Sequence, residues 1–256
     1  MRREGDGSRT VKSDETLISI IEVLLSRGET GVSRLSEELD RSPSTIHAHL
    51  ATLEKYGFVI SNGGAYELSM RFLEFGNKIR KQKGLYRAAP GPMEMFAEEM
   101  KEHIWCAVVE KNKIAFCASV SRERTAAQPV EIGSRLSMHE TAIGKAVLAE
   151  LPGAEVEKIL GRSGLPSRTD NTITSLERLL RELDLIRERG YALNLEENVE
   201  GVNSIGTAIS DTTGRPIGGL SVVGAANRLT EDVLRTKISQ ELIGTANEIE
   251  LKLRYN

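Results

Sequence analysis

Aromatic side chains are scarce in this chain. Phe, Trp and Tyr make up 4% of its 256 residues, with a single Trp. Aliphatic side chains must therefore supply most of any core. Cysteine is scarcer still, with only Cys106 and Cys117. Two cysteines are no disulfide framework, and they read as small buried side chains in a reducing compartment. Neither sign of charge dominates, because the formal net charge is −3. That excludes a chain basic throughout and leaves phosphate contact to local patches. No apolar run approaches about 18 residues, so no membrane span is expected. The charged N-terminus lacks an apolar h-region, so no signal peptide is expected and the reading is cytoplasmic. What is present, 39% hydrophobic and 28% charged residues, suffices for a real core in one large or two ordinary domains.

Chemistry-bearing motifs are equally thin. The four histidines are His47, His49, His103 and His139. On one helix, His47 and His49 point about 200° apart, so they cannot share a metal. No Gly-x-Ser-x-Gly elbow occurs, and Gly144-Lys145 lacks the spaced glycine of a phosphate loop. Glu196, Glu197 and Glu200 read as a solvated acidic loop, with Glu200 holding the Gly201 turn. No catalytic residue, metal site or cofactor is expected.

One stretch organises the rest. Ser42 and Pro43 form a helix start, since Ser caps free N–H groups and Pro suits the first helical position. Ile46, Leu50 and Leu53 then make one apolar stripe. The opposite face carries Ser44, Ala48, Ala51 and Lys55, flanked by Thr45, His47 and Thr52. It is small, polar and free of carboxylates, as a helix in a major groove requires. Phe58-Val-Ile60 starts a strand, Ser61-Asn-Gly-Gly64 turns through two glycines, and Ala65-Tyr-Glu-Leu68 returns. Two shorter helices precede it. One uses Leu17, Ile20, Ile21, Leu24 and Leu25, capped by Ser13 or Asp14. The other uses Val32, Leu35 and Leu39. The whole reads as a winged helix-turn-helix over 13–68. Residues 1–12, with Arg2, Arg3, Arg9 and Lys12, form a flexible basic leader or a DNA-touching arm.

A linker helix is expected over 69–85, with Gly84 to Pro92 marking a boundary. The second domain, 86–256, reads as α+β with about six strands and a helix at either end. Its expected strands are 104–109, 113–120, 129–132, 191–195, 202–210 and 216–224. Its helices are expected over 93–103, 139–151 and 154–160. Another opens at a capping box Thr174-x-x-Glu177, and a last one spans 229–253.

These stretches resemble the IclR family of transcription regulators over nearly the full length. The head matches in Ser44-Thr-Ile-His47, in Leu50-x-x-Leu53-x-x-x-Gly57-Phe-Val59 and in Tyr66-x-Leu68. Gly133 to Ala149 resembles the family's glycine loop and helix. Arg189 to Ile205 resembles its signature. The resemblance implies a GAF-like antiparallel-sheet effector domain behind the winged head and its linker helix. It also implies a homodimer or dimer of dimers that binds double-stranded DNA at a palindromic operator. A small-molecule effector, a small organic acid or aromatic metabolite, would bind between the two motifs. The matching positions are Met138, Ala142, Ile143, Asn194, Val202, Ser204, Ser221 and Val223. Ser204 stands where the family often has cysteine, Asn194 where it sometimes has Asp, and Ala48 where it often has Arg.

The function expected is operator binding controlled by a metabolite. Ser44, Thr45, His47, Thr52 and Lys55 would face DNA, and Asn62, Gly63 and Gly64 would bring the wing against it. Two other classes stay open: an interaction module with a structural winged helix, and a small-molecule enzyme fused to a DNA-binding head. His139 either orients its loop or meets the ligand, while His49 and His103 read as packing residues.

Overall fold

The computed structural model describes residues 10–121 and 130–255. It divides into two units between Ile79 and Arg80. In the first, α1 (Lys12–Arg27), α2 (Val32–Leu39) and α3 (Pro43–Lys55) close on a core of Ile20, Leu24, Leu35, Ile46, Leu50 and Leu53. Every one of these lies on the helical stripe that its spacing demands. Ser42 caps α3, its Oγ accepting from Thr45 N–H at 3.2 Å, with Pro43 in the first turn. The cap expected at Ser13 or Asp14 is corrected: α1 starts at Lys12, and Val11 precedes it with no side-chain cap. The basic leader, with Arg2, Arg3 and Arg9, lies outside the described residues.

The wing is β2 (Val59–Asn62) and β3 (Ala65–Leu68), antiparallel, with Asn62 opposite Ala65. Gly63 and Gly64 alone make the turn, at φ 57° and 95°. Two consecutive positive φ values match strand twist and suit glycine. A two-residue strand absent from the sequence reading, β1 (Thr30–Gly31), pairs with β3 to make a three-stranded sheet. It is too short to leave a periodic signal. Helix α4 (Arg71–Gln82) follows, and Phe72 and Phe75 of α4 pack on Phe58 at ring-centroid distances of 5.2 and 5.4 Å.

In the second unit, α5 (Gly84–Ala88) and α6 (Pro90–Met100) replace the expected boundary loop. Pro90 starts α6 rather than breaking it, because proline's missing N–H costs nothing in a first turn. Leu85, Ala88 and Ala89 are buried in the core. His103 begins a strand instead of ending a helix. The strands are β4 (His103–Glu110), β5 (Lys113–Val120), β6 (Arg135–Ser137), β7 (Ala192–Leu195), β8 (Val202–Ser210) and β9 (Pro216–Ala225). They form one antiparallel sheet in the order β6-β5-β4-β9-β8-β7. The strand expected over 129–132 is displaced. Pro129 lies outside the described residues, and Gly133 turns at φ 96°, so pairing with β5 is made by Arg135–Ser137.

Helices cover both faces. On one lie α5, α6 and α11 (Ser239–Tyr255), burying Met93, Phe96, Leu242 and Ile249 against Ile104, Ile205 and Leu220. On the other lie α7 (Ala142–Glu150), α8 (Gly153–Ser163) and α9 (Leu176–Arg189). The last helix is entered through α10 (Glu231–Val233) and a π turn, Leu234–Ile238, with Thr230 as cap. The capping box at Thr174 is corrected: Ser175 is the cap, accepting from Arg178 N–H. The helix expected from His139 is a 3₁₀ turn, Met138–Glu140, before Thr141 caps α7.

Helix α7 is buried from Ala142 to Ala149, and it sits close on β8 because residue 206 has no side chain. A Cβ at Gly206 would meet Ile143 N at 2.7 Å and Ala142 C at 2.8 Å. Gly206→Ala should therefore push α7 outward and destabilise this unit by about 2 kcal/mol, roughly 4–8 °C in Tm. Calorimetric melting reads this directly, and an unchanged Tm would mean that α7 does not rest on β8.

Candidate effector cleft and DNA-facing head

Helix α3 presents Ser44, His47, Thr52 and Lys55 exposed, with Thr45 half-buried. All three of these hydroxyls are already engaged, Ser44 Oγ lying 3.0 Å from Ser42 Oγ. Thr45 Oγ1 lies 2.8 Å from Ser42 Oγ at the cap, and Thr52 Oγ1 donates to the Ala48 carbonyl at 2.9 Å. Asn62, Gly63 and Gly64 are exposed at the tip of the wing. His49 is half-buried beside the apolar stripe.

The C-terminal unit holds a cleft of about 430 Å³, mouth included. Ala142 and Ile143 enter it from the start of α7, and Asn194 from the end of β7. Val202, Ser204, Ser221 and Val223 form its floor on β8 and β9. Met138 does not reach it: that side chain is buried in the core under α7, which corrects its place among the expected lining residues. The cleft also has Phe116, Leu136, Val130, Thr141, Asn198 and Val199, none of them anticipated. Phe116 could have been found from the alternation along β5. Asn198 and Val199 sit in an irregular loop with no periodic signal.

The lining is mainly apolar with a few placed polar groups, as small-molecule sites are. Ser204 and Ser221 bring hydroxyls that can donate or accept. Asn194 is already committed: its Nδ2 donates to the Glu140 carbonyl at 2.7 Å, and its Oδ1 accepts from the Glu197 N–H at 3.0 Å. Behind Phe116, Trp105 and His103 stack at 4.7 Å. They stand opposite Ser221 and Val223 in the sheet and so share the cleft's face. Trp105 Nε1 and His103 Nε2 are buried without hydrogen-bond partners. Burial lowers the His103 pKa below its ordinary value.

Comparison with known proteins agrees with this geometry. Residues 78–251 match the family model "Bacterial transcriptional regulator IclR C-terminal". Residues 14–61 match "Bacterial regulatory protein, arsR family". The chain is 30% identical over 249 residues to the transcriptional regulator KdgR of Escherichia coli, covering 96% of this chain and 94% of that one. The chain belongs to the IclR family. As a member it is a DNA-binding transcription regulator under metabolite control. The IclR structure of Thermotoga maritima matches with a TM-score of 0.79 at 28% identity, covering 94% of this chain and 97% of that one. An IclR homologue of Microbacterium hydrocarbonoxydans, complexed with 4-hydroxybenzoate, shares the fold with a TM-score of 0.79 at 23% identity, covering 95% of this chain and 100% of that one.

One ionic contact in this IclR domain departs from the sequence reading. Glu197 is not solvated. It is buried, and its Oε1 accepts from Lys145 Nζ, itself 1% exposed on α7. The readable signal was the lysine: a charge within a helix apolar all round needs a buried carboxylate. Burial raises the Glu197 pKa above its ordinary 4.5, with Lys145 opposing the shift. Glu196, at φ 59°, takes the role expected of Glu200, its Oε2 accepting from the Gly201 N–H at 2.7 Å. His139 ties its turn to a distant loop, Nε2 donating to the Pro166 carbonyl at 3.0 Å.

Lys145→Met leaves Glu197 buried without its cation, a loss of about 3–5 kcal/mol. The pH dependence has a definite sign. The Glu197 pKa is raised in the folded state, and it would rise further in the variant. Stability is then greatest below the ordinary 4.5 and falls as pH climbs through the folded-state pKa. Urea unfolding at pH 5 and pH 8 should show the variant's deficit widening at the higher pH; a deficit independent of pH would sink this account.

Proposed function

We propose that a small organic or aromatic acid binds the cleft between α7 and the β8–β9 floor and shifts the affinity of the head for a palindromic operator. The convergence of five positions from two separate sequence motifs, with Ser221 and Val223 of β9, on one cleft carries this reading. The Microbacterium homologue, complexed with 4-hydroxybenzoate, supports the ligand class. In this reading residues 13–68 are the DNA-binding head, 69–85 the linker and 86–256 the effector domain. His47 and Ser44 face bases or phosphates, Lys55 faces a phosphate, and the backbone of Asn62, Gly63 and Gly64 approaches the flanking groove. Thr45 and Thr52 act chiefly by fixing the helix, since their hydroxyls are used within it.

The protein acts as a dimer or a dimer of dimers. Met70, Leu73 and Ile79, on and just before α4, are exposed, and exposed apolar side chains of this size favour self-association. No catalytic step belongs to this reading. Among the described residues no helix is long and apolar enough to cross a membrane, and a cytoplasmic site of action accords with DNA as partner.

Binding to the protein's own upstream DNA at several salt concentrations tests the head. Lys55→Ala should weaken binding and reduce the salt slope by about one. His47→Ala should weaken it with a smaller change in slope. For the cleft, Ser204→Phe should abolish any response to 4-hydroxybenzoate or another small acid while leaving DNA affinity intact. Equal operator binding by wild type and Lys55→Ala would favour a structural winged helix.

A further inference from the structure

The loop of residues 196–201, between β7 and β8, closes one end of the effector cleft, and Asn198 and Val199 are part of the lining. Its two acids are spent on holding its shape. Glu196 Oε2 accepts from the Gly201 N–H, and its carbonyl from Thr169 Oγ1 at 2.6 Å. Glu197 meets Lys145 through Oε1, donates its N–H to Asn194 and accepts from the Thr172 hydroxyl at its carbonyl. Asn198 has no such task. Its half-buried carboxamide lines the cleft and has no hydrogen-bond partner among the described residues. A free amide on a fixed loop is preorganised, so binding through it costs little ordering.

The other polar side chains of the lining divide in the same way. Thr141 Oγ1 accepts from the Gly144 N–H at 3.0 Å, and Asn194 is spent at both ends of its amide. Ser204 and Ser221 have no side-chain partner among the described residues. Register sets their places. Ser204 lies opposite Val223 and Ser221 opposite Gly206, so the two hydroxyls stand on one face, a diagonal apart, near enough to donate to one carboxylate. Val202 starts β8 two residues before Ser204, about 7 Å nearer the loop that carries Asn198. Among the described residues no cationic side chain lines the cleft, and Phe116, Val199, Val202 and Val223 make much of the rest apolar. Every polar contact with a ligand is therefore a neutral group's hydrogen bond.

A carboxylate only accepts, so it suits the two serine hydroxyls. A carboxamide donates and accepts, so it matches a ligand hydroxyl, which does both. We propose that Asn198 is the specificity-determining residue of this cleft and selects a hydroxy acid. The ligand's carboxylate takes the Ser204 and Ser221 hydroxyls. Its own hydroxyl, across an apolar skeleton about the length of a six-membered ring, takes the Asn198 carboxamide. An acid without that hydroxyl leaves Asn198 unused and binds more weakly. This inference rests on the effector reading above and adds to it the residue that tells one acid from another.

Calorimetry on the full chain tests this with two pairs of acids: 4-hydroxybenzoate against benzoate, and 6-hydroxyhexanoate against hexanoate. In at least one pair the hydroxy acid should bind about tenfold tighter than the plain acid. Asn198→Ala should remove that preference, leave the plain acid's affinity where it was and leave Tm unaltered, because the amide holds nothing in the loop. Ser204→Ala should weaken both members of the pair alike. Equal affinities within both pairs would overturn the proposal and leave the effector reading standing. So would a preference that survives Asn198→Ala, or a loss in Asn198→Ala shared equally by the hydroxy acid and the plain acid, which marks a residue that only shapes the loop. No heat from any of the four acids at about 10 mM would overturn this inference and the effector reading for such acids together.

Discussion

The contact on which the effector domain most depends is the buried pair of Lys145 and Glu197. Taking two charges out of water is expensive, and such a pair adds little net stability over apolar residues of the same volume. Its value here is positional. It joins the one polar residue inside α7 to a loop that has no regular structure of its own. That loop is then held by satisfied hydrogen bonds: Glu197 N–H to Asn194, and the Thr172 and Thr169 hydroxyls to the Glu197 and Glu196 carbonyls. The positive φ of Glu196 is held by the same frame. The loop thereby becomes a fixed wall of the effector cleft.

The head follows the opposite logic. Its core is ordinary aliphatic packing under three helices, and of the side chains proposed to face DNA His47 and Lys55 have no hydrogen-bond partner among the described residues. The hydroxyls nearest the backbone are used for local geometry: Ser42 and Thr45 at the cap, Thr52 on the carbonyl of Ala48. The N-terminus of α3 is thereby preorganised, and the positive end of its dipole suits a phosphate. In the proposed reading, discrimination among bases would fall to Ser44 and His47, because Ala48 has no group to offer.

The legible parts of the fold were those with a period. The stripe Ile46, Leu50, Leu53 placed α3, and the paired glycines placed the wing turn. The cleft-floor positions Val202, Ser204, Ser221 and Val223 came instead from the family resemblance. What escaped lacked a period or depended on distant partners. Strand β1 has two residues and exists only because β3 lies beside it. The 129–132 segment has strand composition, yet the Gly133 turn hands the pairing to residues 135–137. Glu197 sits among acids and reads as solvated until Lys145, 52 residues earlier, is seen to reach it. Met138 follows the same rule: the resemblance put it among the lining positions, while packing turned it into the core.

The two halves of the molecule must then differ in their response to salt. In the proposed reading, phosphate contacts by Lys55 and its neighbours would release counterions, so DNA affinity would fall steeply as salt rises. The effector cleft has no such free charge. Lys145, the cation behind its wall, is neutralised by Glu197, and Asn194 is spent on the same frame, leaving the hydroxyls of Ser204 and Ser221 and the Asn198 carboxamide as its polar handles. An acid bound there, as proposed, would be recognised by hydrogen bonds and shape in a partly apolar pocket, where screening by salt is weak. The serine that stands in place of a thiol keeps a donor and an acceptor without adding charge. Salt can therefore set the level of operator occupancy without altering how strongly the effector is read, and the ligand's leverage over DNA comes only from the difference in its affinity for the two states of the domain.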